Sequence, residues 1–483
     1  MRARVLSFAL VVPAALAFAF AGCSSKKNDA DGTPAVVDAG PYAYSPQGCA
    51  YKVTPVDARG YTDTQTDGDK GGAPLRVRLG LGGNAKYGTP GYADPTTTAV
   101  FTWETAEGST AAKVRLGTAP SALTDVHAGY SWTTPPPTAG FGANEPGVSM
   151  HEVHVCGLQP GTTYTYQVGG GSPEVWSAAQ QFTTPPKTGK VTIGVSGDSR
   201  DSADVFQAVQ TRMRDLAVNL QLFSGDLLLY GTQQSLYASF LDKAWKDPGG
   251  KLLTLGQQMM VVVPGNHEND SVQFFGNFSL PGDGPNAETY GSFDVGGAHF
   301  AVLDDQALAA GVDSDAAKEQ LAWLDDDLGK ADANRATVPF LVILHHRGEL
   351  STSNHSTDGD VVRVRTELMP VWDKHHVDLV LNGHDHNYER SKPVTGPAAS
   401  PTVQAAANQG TTYVVCAGAG ATSYSPGSAP AAYREKNAGF GGSTGYLGVY
   451  AVLTLDGRKL HLSAYGLKAT APDDEIDAFD LTR

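Results

Sequence analysis

Five short polar motifs, each standing directly behind an apolar run, constrain this chain more than anything else in it. They are Gly197-Asp198 after VTIGVS, Gly225-Asp226 after LQLFS, Gly265-Asn266-His267-Glu268 after MMVVVP, His345-His346 after FLVIL, and Gly383-His384-Asp385-His386 after VDLVLN. Runs of this length and composition read as strands buried on both faces. Between them, residues 204–217, 233–245, 315–328 and 361–374 repeat apolar side chains at three- and four-residue spacing, the pattern of helices packed on a sheet. Side chains at the carboxyl ends of parallel strands open into one crevice. Carboxylates, an amide and imidazoles converging there form a donor set for two divalent or trivalent metal ions, and paired ions are a standard device for phosphate-ester hydrolysis.

The stretch before these motifs has a different rhythm. Residues 74–184 alternate short β-like runs (TAVFTWET, AKVRLGT, MHEVHVCGL, TTYTYQVGG) with turn clusters, the pattern of an immunoglobulin-type sandwich with Trp103 as its core aromatic. Pro185-Pro186 marks a linker. From Thr411 onward the chain returns to strands. The expected organisation is therefore a β-sandwich over 47–186 and an α/β (α+β) unit over 187–483, in which two sheets pack face to face between helices.

The first residues read as an export signal. Arg2 and Arg4 precede an apolar run over 5–20, and Ala21-Gly22-Cys23 closes it with small residues and a cysteine. The run is about 16 residues, against the ~20 a spanning helix needs. Residues 1–22 thus resemble a bacterial lipoprotein signal, with Cys23 as the lipidated residue and 23–46 as a polar tether; a plain secretory signal is the alternative. In an oxidising compartment Cys49 and Cys156 can pair, whereas Cys416, inside TTYVVCAGAG, reads as a small buried apolar residue. The net charge of −15 argues against a nucleic-acid partner.

The order and spacing of the five motifs resemble the calcineurin-like metallophosphoesterases, and among these the purple acid phosphatases. The narrower likeness rests on the continuation GHDHNYERS over 383–391, the run YGSFDVGGAHFAVLDD over 290–305, a loop histidine, His355, ten residues after His345, and a fibronectin-like domain ahead of the catalytic one. It implies a two-sheet metallophosphoesterase fold. It also implies two metal ions, iron together with zinc, manganese or a second iron. Asp198, Asp226 and His386 would hold the first, and Asn266, His345 and His384, with Asp226 shared as the bridge, the second. His346 would then be a partner of a ligand or a packed histidine. His267 and His355 are the expected acid candidates, and Arg200 a phosphate-pairing candidate.

One departure from the family pattern concerns the first ion. Asp198-Ser199-Arg200 lacks the histidine of the usual Asp-x-His, and the tyrosine of the purple enzymes falls one residue late, at Tyr230. Either the first ion lacks a protein ligand or a one-residue bulge lets Tyr230 reach it. The implied activity is hydrolysis of small phosphomonoesters by a hydroxide held on the metals. Phosphodiesters are the alternative substrate class. A surface-binding lipoprotein with a vestigial site is the alternative of a different kind. The remaining histidines, His151, His154, His299, His375, His376 and His461, have no ligand spacing and read as structural or surface residues.

Overall fold

The computed structural model describes residues 44–53, 69–83, 93–134, 147–281, 289–397, 399–425, 427 and 431–483. The signal, Cys23 and nearly all of the tether lie outside them. Among the described residues no helix is long and apolar enough to cross a membrane.

The motif-bearing runs are strands, divided between two sheets. Val191–Ser196, Leu220–Phe223 and Met259–Val262 run parallel to one another, and so do Ala298–Val302, Phe340–Arg347, Leu379–Gly383 and Thr412–Cys416. The helical patterns fold as Ala203–Asp215, Gln234–Trp245, Asp315–Asp332 and Gly359–His375. Ser202 and Ser314 cap the first and third of these by accepting from Val205 N–H and Ala317 N–H.

Apolar alternation sets the layers. Ile193, Val195, Leu222 and Val261 from one sheet share a single buried cluster with Phe300, Val342, Leu344 and Leu381 from the other. The opposite strand faces are covered by helices. Phe223 and Val262 pack with Phe206, Tyr237 and Phe240, while Leu341 and Ile343 pack with Leu324, Leu368 and Trp372. The sandwich of two sheets flanked by helices is the expected α/β architecture.

Sequence patterning did not reveal where the first sheet ends. Among the described residues it has ten strands, and Leu75–Gly80, Thr98–Ala106, Val148–Cys156 and Tyr130–Thr133 extend it on the far side of Met259–Val262. The join is one parallel pairing, Leu79 with Met259. The facing strands Lys113–Gly117, Thr163–Gly170 and Gln180–Thr183 complete the N-terminal sandwich around fully buried Trp103. The Tyr164 hydroxyl closes its corner by accepting from Gln159 N–H at 2.9 Å. Cys49 and Cys156 form a disulfide, and Cys416 is a buried free thiol.

The bland histidines take structural places. His151 is buried against Thr105 and stacks on Trp103, and His154 lies between Tyr51 and Glu152. His299 bridges Asp294 and Asp327. Burial alone would lower its pKa, but Asp327 and Asp294 raise it to about 10, so it stands charged between two carboxylates.

Candidate metal centre

Three of the expected ligands sit in a backbone conformation that side-chain-bearing residues seldom adopt. Asp198, Asp226 and His384 have φ of 57°, 53° and 71°. Strain of this kind, of order 1–3 kcal/mol each, persists where the surroundings over-determine it and concentrates at functional sites. Here the surroundings are the crossed loops. Asp198 N–H donates to Gly225 C=O, and Ser199 and Arg200 N–H both donate to Asp226 C=O. Glycine is needed where these loops touch: a Cβ on Gly265 would lie 2.2 Å from Asp226 Oδ1, and one on Gly383 2.4 Å from Asp198 Oδ2.

Glu268 is the keystone of this arrangement, and its role was not legible in the motif. Fully buried, it accepts from the N–H groups of Asp226 (2.8 Å), Leu227 (3.0 Å), Leu228 (3.3 Å) and Gly265 (2.7 Å). Burial first, and then Asp226, raise its pKa to about 7.

Two buried clusters form, each able to place one ligand atom per residue within 4.8 Å of the others: Asp198, Asp226 and His386, and Asp226, His346 and His384. Asp226 belongs to both. Asn266 joins the second, its Oδ1 lying 3.0 Å from His346 Nε2.

The residue from the double histidine is therefore His346, which corrects the expectation for His345. Successive side chains on a strand point to opposite faces. His346 follows Val342 and Leu344 onto the face between the sheets, and His345 follows Leu341 and Ile343 to the helix side. There His345 is fully buried between Asp305 (3.0 Å) and Glu349 (2.9 Å). Burial opposes its charge, but Glu349 and Asp305 raise its pKa to about 9, so it is committed to those carboxylates.

Tyr230 stands at the rim of the site. After buried Leu228 the chain reaches the surface, where Leu229 and Tyr230 are 37% and 38% exposed. The phenol beside the first cluster is Tyr424, whose ring stacks on His386 with centroids 4.0 Å apart. No feature of the sequence singled it out.

The donors fit metal ions. His346 Nδ1–H donates to Ser224 C=O at 2.7 Å and His386 Nδ1–H to Thr422 C=O at 2.7 Å, so the Nε2 atom of each faces the carboxylates. Metal-binding histidines are held in this way by a backbone carbonyl. Asp198 Oδ2 and His384 Nε2 are buried without a hydrogen-bond partner among the described residues. Burial lowers the pKa of His386 to about 4 and, helped by His346, that of His384 well below the usual range, so both present neutral rings. Burial pushes Asp198 well up, with Asp226 adding to the rise and His346 opposing it. Burial opposes ionisation of Asp226, but His346 and then His267 hold its pKa below the ordinary carboxylate range. The same attraction to Asp226, 3.4 Å away, raises His346 to about 10 against the effect of burial. Metal binding at these donors would require His346 to give up the Nε2 proton that Asp226 favours.

The remaining candidates line the approach to these clusters. Arg200 Nη1 contacts His267 Nε2, and its Nη2 donates to the Tyr424 hydroxyl at 3.0 Å. His267 Nδ1–H donates to Leu229 C=O at 2.8 Å. His355 is tied through Nδ1 to Asp358 at 2.8 Å, and its ring lies 4.3 Å from that of His384. Asp385, the non-ligand of its motif, accepts from His355 N–H at 3.0 Å and so anchors that loop.

Comparison with known proteins identifies the two domains. Residues 191–388 match the family model for calcineurin-like phosphoesterases, and residues 90–184 that for the purple acid phosphatase N-terminal domain. The chain belongs to the calcineurin-like metallophosphoesterases, in the purple acid phosphatase-like subgroup. Among its relatives, purple acid phosphatase 22 of Arabidopsis thaliana is 30% identical over 52% of this chain and 56% of its own length. Purple acid phosphatase 21 of the same plant is 32% identical over 52% and 55%. The chain thus spans little more than half the length of these relatives. A purple acid phosphatase from yellow lupin (Lupinus luteus) seeds shares the fold, with a TM-score of 0.63 at 18% identity over 85% of this chain and 75% of that one. In this metallophosphoesterase the two ions implied by the family would be held by Asp198, Asp226 and His386, and by Asp226, Asn266, His346 and His384.

Proposed function

We propose that this chain is an exported metal-dependent phosphatase that hydrolyses small phosphomonoesters. The observation that carries the reading is the single carboxylate, Asp226, standing in both buried donor clusters, with the Arg200 guanidinium held on the neighbouring His267. When bound, a metal pair supplies Lewis acidity toward phosphoryl oxygens and a water acidic enough to ionise near neutral pH; the choice among iron, zinc and manganese is open to direct assay.

The chain's own residues bind and orient the ester. Arg200 carries a positive charge whose side-chain partners, His267 and Tyr424, include no carboxylate, so that charge is left for a phosphate. Arginine only donates, so the His267 Nε2 it touches accepts, and that atom then has no proton to give. His267 accordingly holds Arg200, and the proton for the departing alcohol is assigned to His355, whose ring is oriented through Nδ1 by Asp358. Replacing Arg200 by alanine should raise KM for a monoester about 10- to 100-fold, the cost of losing a charge-assisted hydrogen bond, with kcat and metal content nearly unchanged. A loss of bound metal in that variant would refute the phosphate-pairing role.

Elemental analysis combined with turnover of 4-nitrophenyl phosphate and bis(4-nitrophenyl) phosphate tests the whole reading. About two ions per chain and faster monoester turnover support it. Faster diester turnover favours a phosphodiesterase, and metal-free, inactive protein favours a surface-binding relic. Export through a lipid on Cys23 is part of the proposal. It is supported by the signal-like start of the chain and by the Cys49–Cys156 disulfide, a bond of oxidising compartments. Cys23→Ser should move the protein from the membrane fraction to the soluble exported fraction or block its processing; unchanged partition would exclude the anchor.

A further inference from the structure

We propose that Tyr424 is a substrate-positioning residue, which fixes Arg200 through its hydroxyl oxygen and offers its own O–H to a terminal phosphoryl oxygen. The inference rests on the phosphoester reading above and adds to it the group that favours monoesters over diesters.

Tyr424 is built into the site. Its loop follows the strand Thr412–Cys416 and is bonded to the ligand loops at four points. Ala419 N–H and Ala421 N–H donate to the carbonyls of Gly197 and Asp198, each at 2.8 Å; Thr422 N–H donates to Asp201 Oδ2 at 2.8 Å, and Tyr424 N–H to His386 C=O at 2.9 Å. The ring is clamped flat on His386, with 12° between planes, and its edge meets His355 at 5.3 Å. These contacts leave the hydroxyl few positions, and it is found 3.0 Å from Arg200 Nη2. Because arginine has no acceptor, the phenol oxygen accepts this bond and keeps its own hydrogen to give. No acceptor for that hydrogen stands among the described residues, which leaves it for a ligand.

Several arginines of this chain are neutralised by a carboxylate. Arg212, Arg335, Arg347 and Arg390 each meet a carboxylate, Asp473, Asp378, Asp305 and Asp477 respectively. Arg200 forms no ion pair among the described residues and is held by an imidazole on one side and a phenol on the other. Two acceptors that are not carboxylates orient a guanidinium without cancelling its charge, which is what an anion-binding site requires. A monoester presents three terminal oxygens and a diester two, so a further donor beside Arg200 favours the monoester.

Tyr424→Phe keeps the stack on His386 and removes only the hydroxyl. In the metal-loaded protein the dissociation constant of inorganic phosphate, measured calorimetrically, and KM for 4-nitrophenyl phosphate should each rise about 10-fold, with kcat and metal content nearly unchanged. KM for bis(4-nitrophenyl) phosphate should change by less than about twofold. In an Arg200→Ala background the same substitution should add less than about twofold, since the two residues act as a unit. Unchanged phosphate binding in Tyr424→Phe, metal loss in that variant, or wild-type protein that binds no phosphate would each overturn the proposal. Wild-type protein that binds phosphate but hydrolyses neither ester would overturn the phosphatase reading while leaving the Tyr424 effect on phosphate binding to be scored separately.

Discussion

Asp226→Ala is expected to bring phosphate-ester hydrolysis below detection and to lower the occupancy of both metal ions together. The reason is geometric: Asp226 is the one residue common to the two buried donor clusters. Without it the first cluster keeps two of its three residues and the second three of its four. The effect extends beyond ligation, because Asp226 Oδ1 also accepts from His267 N–H at 3.0 Å and so helps seat the histidine that holds Arg200. Asp226→Asn separates these contributions, since it keeps the shape and an acceptor oxygen while removing the charge. Elemental analysis beside steady-state kinetics decides the matter. If only one ion is lost and activity persists, Asp226 does not bridge.

The second large effect is a contrast between neighbours. His346→Ala should strip the second ion and abolish activity while leaving the fold intact, because its Nε2 faces Asp226 and Asn266. His345→Ala should do the reverse. It removes the partner of two fully buried carboxylates, Asp305 and Glu349, and leaving buried charge uncompensated costs about 3–5 kcal/mol. Part of that cost falls away because Arg347 and Trp372 also bond these carboxylates. Urea unfolding together with metal content of the folded fraction distinguishes the two. Metal loss from a stably folded His345→Ala protein, with His346→Ala fully loaded, would reverse the assignment.

The pair also shows where sequence reading stops. A strand with one apolar face declares its register, since a slip of one residue turns every side chain to the wrong side. FLVILHH has apolar residues on both faces, because one packs against the other sheet and one against helices. The letters are then equally good in either phase, and the choice between His345 and His346 is set by the neighbours, Phe300 and Leu381 on one side, Leu324 and Trp372 on the other.

What the sequence determined by itself is local and repetitive: apolar runs ending in ligand types, helices spaced between them, a β-rich stretch before them. Those features sufficed for the family, the two-sheet architecture and the meeting of Asp198, Asp226, Asn266, His384 and His386, because parallel strands bring their carboxyl ends together. The tertiary structure alone decided the rest. Tyr424 meets Arg200 across 224 positions of sequence, and Leu79 pairs with Met259 to fuse the N-terminal strands to the catalytic sheet. Glu268 takes up four backbone N–H groups from two loops. Each of these depends on which surfaces are pressed together once the apolar faces are buried, and no periodicity along the chain encodes it.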